Sequence, residues 1–203
     1  MTTVQNVHIE RPDQGEEAAR ADLYGLLADL FYAPPSQVLI DQIAASPTEG
    51  EGTLQQAWAE LVDACSRARH ETVREEYETL FIGVGKPEVI LYGSYYLSGF
   101  MMEKPLAELR ADLARLGIER AEEISESEDH IATLCAVMRY LIESGDESDR
   151  LAQQQGFFAA HMRKWVGDCC EAIETRPQAV FYRPVARLAR AFFDVEALAF
   201  DML

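Results

Sequence analysis

The 203-residue chain carries 35 acidic against 18 basic residues, a formal charge of −17, which argues against nucleic acid as a partner because phosphate contacts need clustered lysine and arginine. Its 48% hydrophobic content suits a single globular core, and a domain of this length removes about 70% of its unfolded surface from water. No apolar run approaches the roughly 18 residues of a membrane span, and the polar first 14 residues lack the basic-then-apolar order of an export signal, so a cytoplasmic product is expected.

After a loose tail expected over 1–15, Leu23, Leu26, Leu27, Leu30 and Phe31 recur at helical spacing within 16–32, and Pro34-Pro35 ends that helix because proline cannot continue one. Ser36 is placed to cap a short second helix with Val38, Leu39 and Ile43. Beyond the Gly50-Glu51-Gly52 turn, Thr53 is expected to cap a third, carrying Leu54, Trp58, Leu61, Val62 and Cys65, and a fourth carries Val73, Tyr77, Leu80 and Phe81. From 82 to 102 the periodicity fails: Gly83, Gly85, Pro87, Gly93 and Gly99 punctuate a run holding Tyr92, Tyr95, Tyr96 and Phe100. Loops of this length inside a compact domain are often functional, so these aromatics read as a binding wall; they read equally as cover for the end of a helical bundle, and a short helix fits within the loop.

Pro105 suits the first turn of a fifth helix, whose Leu106, Leu109, Leu113 and Leu116 lead to Gly117, able to take a left-handed C-terminal cap. The stretch 119–129 then holds six carboxylates and one arginine. Ile131, Leu134, Cys135, Met138, Leu141 and Ile142 mark the next helix, which runs out in a polar turn at 144–149. That turn is a candidate hinge for exchanging helices, so a monomer and a domain-swapped dimer are both compatible with the pattern. Asp149 is placed to cap one further helix bearing Leu151, Phe158, Met162, Trp165, Val166 and Cys169, ended by Thr175-Arg176-Pro177, and a last helix over 184–199 carries Val185, Leu188, Phe192 and Val195. The fold class is all-α, a single-domain bundle of about eight helices over 16–203.

The chemistry concentrates at 125–131. Ser125 and Glu128 have the spacing of a reciprocal helix cap, which puts Asp129 and His130 in a first helical turn at the edge of the protein. A carboxylate there is favoured by the helix dipole whatever its role, whereas a protonated histidine is not. The pair is therefore either a solvated cap or a working site. Glu126, Asp129 and His130 would hold a metal only with further ligands, since successive helical residues point about 100° apart. A Cys135–His161 nucleophilic pair competes with ordinary core and surface roles. The four cysteines show no metal-ligand pairing and suit a reduced compartment. Gly83-Val84-Gly85-Lys86-Pro87 lacks the phosphate-loop spacing. No catalytic residue, metal or cofactor is assigned; a small metal-dependent enzyme or sensor using Asp129 and His130 is the alternative to a binding protein.

Glu126-Ser127-Glu128-Asp129-His130-Ile131 resembles the Glu-Pro-x-Asp-His signature of the TorD/DmsD/NarJ-like redox-enzyme maturation chaperones, and Tyr77-Glu78-Thr79-Leu80-Phe81-Ile82-Gly83 is similar to that family's Tyr-x-x-Leu-Phe-x-Gly segment. The resemblance runs from Ala21-Asp22-Leu23-Tyr24-Gly25-Leu26-Leu27 through Phe157-Phe158 to Trp165. It implies a cytoplasmic chaperone that binds the twin-arginine signal peptide of a molybdenum-cofactor oxidoreductase, the apo-form of which is its partner, and delays export until the cofactor is inserted. Carried over, Glu126, Asp129 and His130 fall on the peptide-recognition signature, while Tyr77, Leu80, Phe81 and Gly83 fall on a segment that serves packing or binding. Ser127 stands where the signature has proline, and Leu134 where its continuation has glutamate. Carboxylates for two guanidinium groups, with Tyr92, Tyr95, Tyr96 and Phe100 for the apolar part, would complement such a peptide.

Overall fold

The computed structural model describes residues 14–101, 103–119, 126–144 and 149–203. Among these the chain forms ten α-helices, one π-helical turn and no strand, its one backbone bridge being the isolated antiparallel pair Tyr92–His130. Of the tail expected over 1–15, residues 1–13 lie outside the described residues, and α1 (Gln14–Tyr32) already contains the last two.

In α2 (Gln37–Ala44), Ser36 Oγ accepts the Leu39 N–H at 3.3 Å, the cap expected of it. In α3 (Thr53–Arg67), by contrast, the N-cap is Gly52 at φ 106°, and Thr53 is already helical. Then α4 (His70–Tyr77) widens into a π turn at Glu78–Ile82. The aperiodic loop contains the short helix α5 (Gly93–Ser98). Pro105 occupies the first turn of α6 (Lys104–Arg115), and Gly117 follows it at φ 70°.

The signature helix, α7 (Ile131–Ser144), begins after Asp129 and His130. Ser125 and most of the expected 144–149 hinge, residues 145–148, lie outside the described residues. The one helix expected beyond them is two, α8 (Arg150–His161) and α9 (Val166–Glu174), and Asp149 holds the N-cap position of α8 without a side-chain bond. Met162, Trp165 and Val166 stay apolar across the break, so periodicity could not reveal it. There the chain turns on Trp165, whose backbone N–H donates to Met162 O at 3.1 Å and whose Nε1–H donates to His161 O at 2.6 Å. The last helix, α10 (Tyr182–Asp201), is longer than its apolar stripe suggested. This division, with α5, accounts for ten helices where about eight were expected.

Eight of the 14 residues of α7 are buried, which makes it the central helix. It packs along α1 and against α8, while α10 lies on α9 and α3 and α2 on α3. From α1, Tyr24, Leu27, Leu30 and Phe31 are fully buried, each apolar side chain contributing on the order of 2 kcal/mol; Leu23 and Leu26 reach the core only in part. The first and last helices are tied by the buried Glu196, whose Oε1 accepts from Arg20 Nε at 2.7 Å and whose Oε2 accepts from Arg20 Nη2 at 2.8 Å and Tyr24 OH at 2.9 Å. A bidentate guanidinium plus a phenol compensates the carboxylate for its lost hydration. No helix among the described residues is long and apolar enough to cross a membrane.

Candidate functional site

Asp129 and His130 are not at the protein's edge, as their expected place in a first helical turn implied; each is only 4% exposed. The reason is the backbone. Segment 127–131 folds back against the loop before α5, where Ile131 N–H donates to Leu91 O and Gly93 N–H donates to Asp129 O, both at 2.9 Å. The Asp129 side chain continues the same connection: its Oδ2 accepts the Ser94 N–H at 2.9 Å, so it caps α5 rather than α7. The fit on the far side of α5 is equally close, since a Cβ at Gly93 would lie 2.9 Å from the Trp165 ring.

The His130 Nδ1 accepts the Ala132 N–H at 3.2 Å, which leaves the ring proton on Nε2. Burial lowers the pKa of this histidine from 6.5 to about 4, against the opposing pull of Glu126 and Asp129. Its ring meets Tyr92 edge-on at 4.9 Å between centroids. The Tyr92 hydroxyl donates to Glu126 Oε2; burial first, then that carboxylate, raises the phenol pKa. Glu126 itself is half-buried, so the cluster opens to solvent through its carboxylate. Glu128 is held by Arg110, whose Nη2 donates to Oε2 at 2.8 Å. No signal in the sequence paired these two residues, because they belong to different elements.

The other expected aromatics diverge. Tyr96 stacks on Trp165 at 5.5 Å, with its hydroxyl in hydrogen-bond reach of Cys169, and Tyr95 packs edge-on against Tyr96. Phe100 is 70% exposed. The structure thus brings Tyr92 to Glu126, Asp129 and His130, but sends Tyr95 and Tyr96 towards α9.

The earlier motif lies alongside as packing. Tyr77 OH donates to Phe31 O at 3.1 Å and Tyr32 O at 2.8 Å, the free carbonyls at the end of α1. Tyr77, Phe81 and Tyr182 make mutual ring contacts between 4.9 and 5.7 Å, and Leu80 is fully buried. Burial, then the nearby Glu126, pushes the Tyr77 phenol up to about 12. Gly83 sits at φ 64°, where a Cβ would fall 2.4 Å from Lys86 O, so only glycine fits. One residue before this motif, Glu76 accepts the N–H groups of Val180, Phe181 and Tyr182 at 2.8 to 3.0 Å, capping α10 from 104 to 106 positions away. A glutamate on an exposed helical face gave no hint of that.

Among the described residues no three histidine, cysteine, aspartate or glutamate side chains form a metal-ligand group. Asp129 and the Nδ1 of His130 are already engaged by backbone amides, and they face structural tasks there. His161 Nε2 lies 2.7 Å from Asp112 Oδ2, and burial holds the Cys135 thiol protonated, so neither forms an activated pair.

The sequence profile described as nitrate reductase delta subunit matches residues 49–171, more than half of the chain and all of both motif segments. The chain belongs to this family. Beyond the profile, "Chaperone protein TorD" of Vibrio cholerae serotype O1 is 24% identical over 204 residues, covering 91% of this chain and 93% of the relative. That of Vibrio atlanticus is 27% identical over 206 residues, covering 89% and 94%. A crystal structure from Archaeoglobus fulgidus, of a protein described as a redox enzyme maturation protein, aligns with a TM-score of 0.59 at 19% identity, over 94% of this chain and 99% of that one. At that identity the likeness shows the fold alone.

Proposed function

We propose that this delta-subunit family member is a cytoplasmic chaperone, without turnover, that binds the twin-arginine signal peptide of a molybdenum-cofactor oxidoreductase and delays its export until the cofactor is in place. The observation that carries the reading is the Tyr92–Glu126–His130 cluster: a half-buried carboxylate presented at the surface by a loop that Asp129 locks to α5. Glu126 and Tyr92 are then the contact residues for a guanidinium, which prefers planar carboxylate partners. Asp129 and His130 are positioning residues that hold the loop, and Phe100 is an exposed apolar contact for the client. Tyr77, Leu80, Phe81 and Gly83 support the site from beneath. The TorD relatives, named as chaperones, are in keeping with this.

Titration calorimetry with a synthetic peptide bearing two adjacent arginines and an apolar run tests it. Binding should weaken with added salt and with replacement of both arginines by lysine. Affinity indifferent to both changes would remove the carboxylate-recognition reading.

A further inference from the structure

Next to the signature loop a groove of about 560 Å³ runs between α1, α7 and the end of α6, within the size range of built binding sites. Its floor is made of small side chains, Ala28 from α1 with Ala132 and Ala136 from α7. On α7, positions 132, 136 and 140 share one face, with Ala132 buried at its base and Ala136 and Tyr140 exposed. Tyr32 and Tyr140, both about half exposed, flank the floor. Asp29, Glu119 and Glu128 stand along the lining, and among the described residues no lysine or arginine does. Two cations reach these carboxylates from outside the groove: Arg110 binds Glu128, and Arg139 lies within coulombic range of Asp29. An apolar floor with an acidic rim is a mismatch for most protein surfaces and a match for a segment that is cationic at one end and apolar along its length.

We infer that this α1–α6–α7 groove is where the apolar part of the client peptide docks, its arginines lying at the Glu126–Glu128 end and its apolar residues over Ala132 and Ala136. The inference rests on the peptide-binding reading and locates it. It moves the apolar contact from Tyr95 and Tyr96, which pack towards α9, to a surface that no motif marks. Small residues at 28, 132 and 136 let a bound backbone come close to both helices, and the two tyrosines supply area at low entropic cost.

Ala136 is exposed on α7, so tryptophan there fills the groove without entering the core. The probe is a fluorescent synthetic peptide with two adjacent arginines followed by an apolar run, measured by anisotropy, with circular dichroism to verify that each variant is folded. Ala136→Trp should weaken binding at least about tenfold, Tyr140→Ala and Asp29→Asn should weaken it several-fold, and Tyr95→Ala should leave it unchanged. Equal binding by the wild type and Ala136→Trp would overturn the groove while leaving the chaperone reading intact. A folded wild type that binds no such peptide would overturn both. Sedimentation showing a wild-type dimer that Ala136→Trp dissociates would assign the groove to a second copy of the chain instead, and so overturn the inference.

Discussion

Segments 77–83 and 126–131 lie side by side and share an electrostatic environment, with Glu126 acting on both Tyr77 and His130. In the first, the motif residues are absorbed by the fold: the Tyr77 hydroxyl by the α1 carbonyls, Phe81 by Tyr182, Gly83 by a left-handed turn. In the second, the interior members Asp129 and His130 are absorbed in the same way, while Glu126 stays half-exposed. Within one short motif, burial is uneven: two side chains are sealed inside the fold and one reaches solvent, and under the proposed reading that one makes the contact.

Leu80 is fully buried, so Leu80→Ala should cost about 3 kcal/mol in urea unfolding and leave the peptide affinity of the folded protein unchanged; a matching loss of affinity would make the first segment part of the contact surface. Next comes pH. His130 has its pKa lowered from 6.5 to about 4, so the unfolded chain binds the extra proton first. Stability should therefore hold above pH 6.5 and decline as pH falls towards 4, by up to roughly 3 kcal/mol from this group. The decline should be shallower in His130→Gln when denaturation midpoints are compared across that window.

Asp129→Ala removes the α5 cap and should cost about 1–2 kcal/mol, whereas Asp129→Asn keeps an acceptor oxygen and should cost less. Hydrogen exchange at the Ser94 amide reports this directly. Glu126→Gln has the smallest structural effect: it keeps an acceptor for Tyr92, so stability should change by under about 0.5 kcal/mol, while calorimetry should show peptide affinity reduced several-fold. A large stability loss with unaltered binding would place Glu126 with Asp129 as a structural residue.

The helix ends set by local chemistry were legible in the sequence. Pro34-Pro35 and Ser36 separate α1 from α2 as expected, and Gly117 closes α6. Much of what escaped was set by partners distant along the chain. The α8–α9 break is a local exception: it keeps its apolar spacing, and Trp165 finds its acceptor only four residues back, at His161 O. Glu76 and Glu196 look like ordinary charged residues until the fold brings the α10 N-terminus to one and Arg20 to the other. At the site, Glu126, Asp129 and His130 were identifiable as a cluster, but the burial of two of them follows from the bridge between Tyr92 and His130, which pairs residues of different elements. Tyr95 and Tyr96 shared a composition with Tyr92, not a direction.

The π turn at Glu78–Ile82 closes with the Gly83 N–H donating to Glu78 O at 2.7 Å. Such a turn accommodates one residue more than an α-helical path of the same rise. A one-residue deletion there would let the same path close as plain α-helix, leaving Tyr77 and the shifted Phe81 three positions apart and still on one face. Thr79 is exposed, so its exchange for another polar residue and even its omission should be better tolerated than a deletion within α4, which has no extra residue to give up. At this point of the fold the chain carries slack in its length.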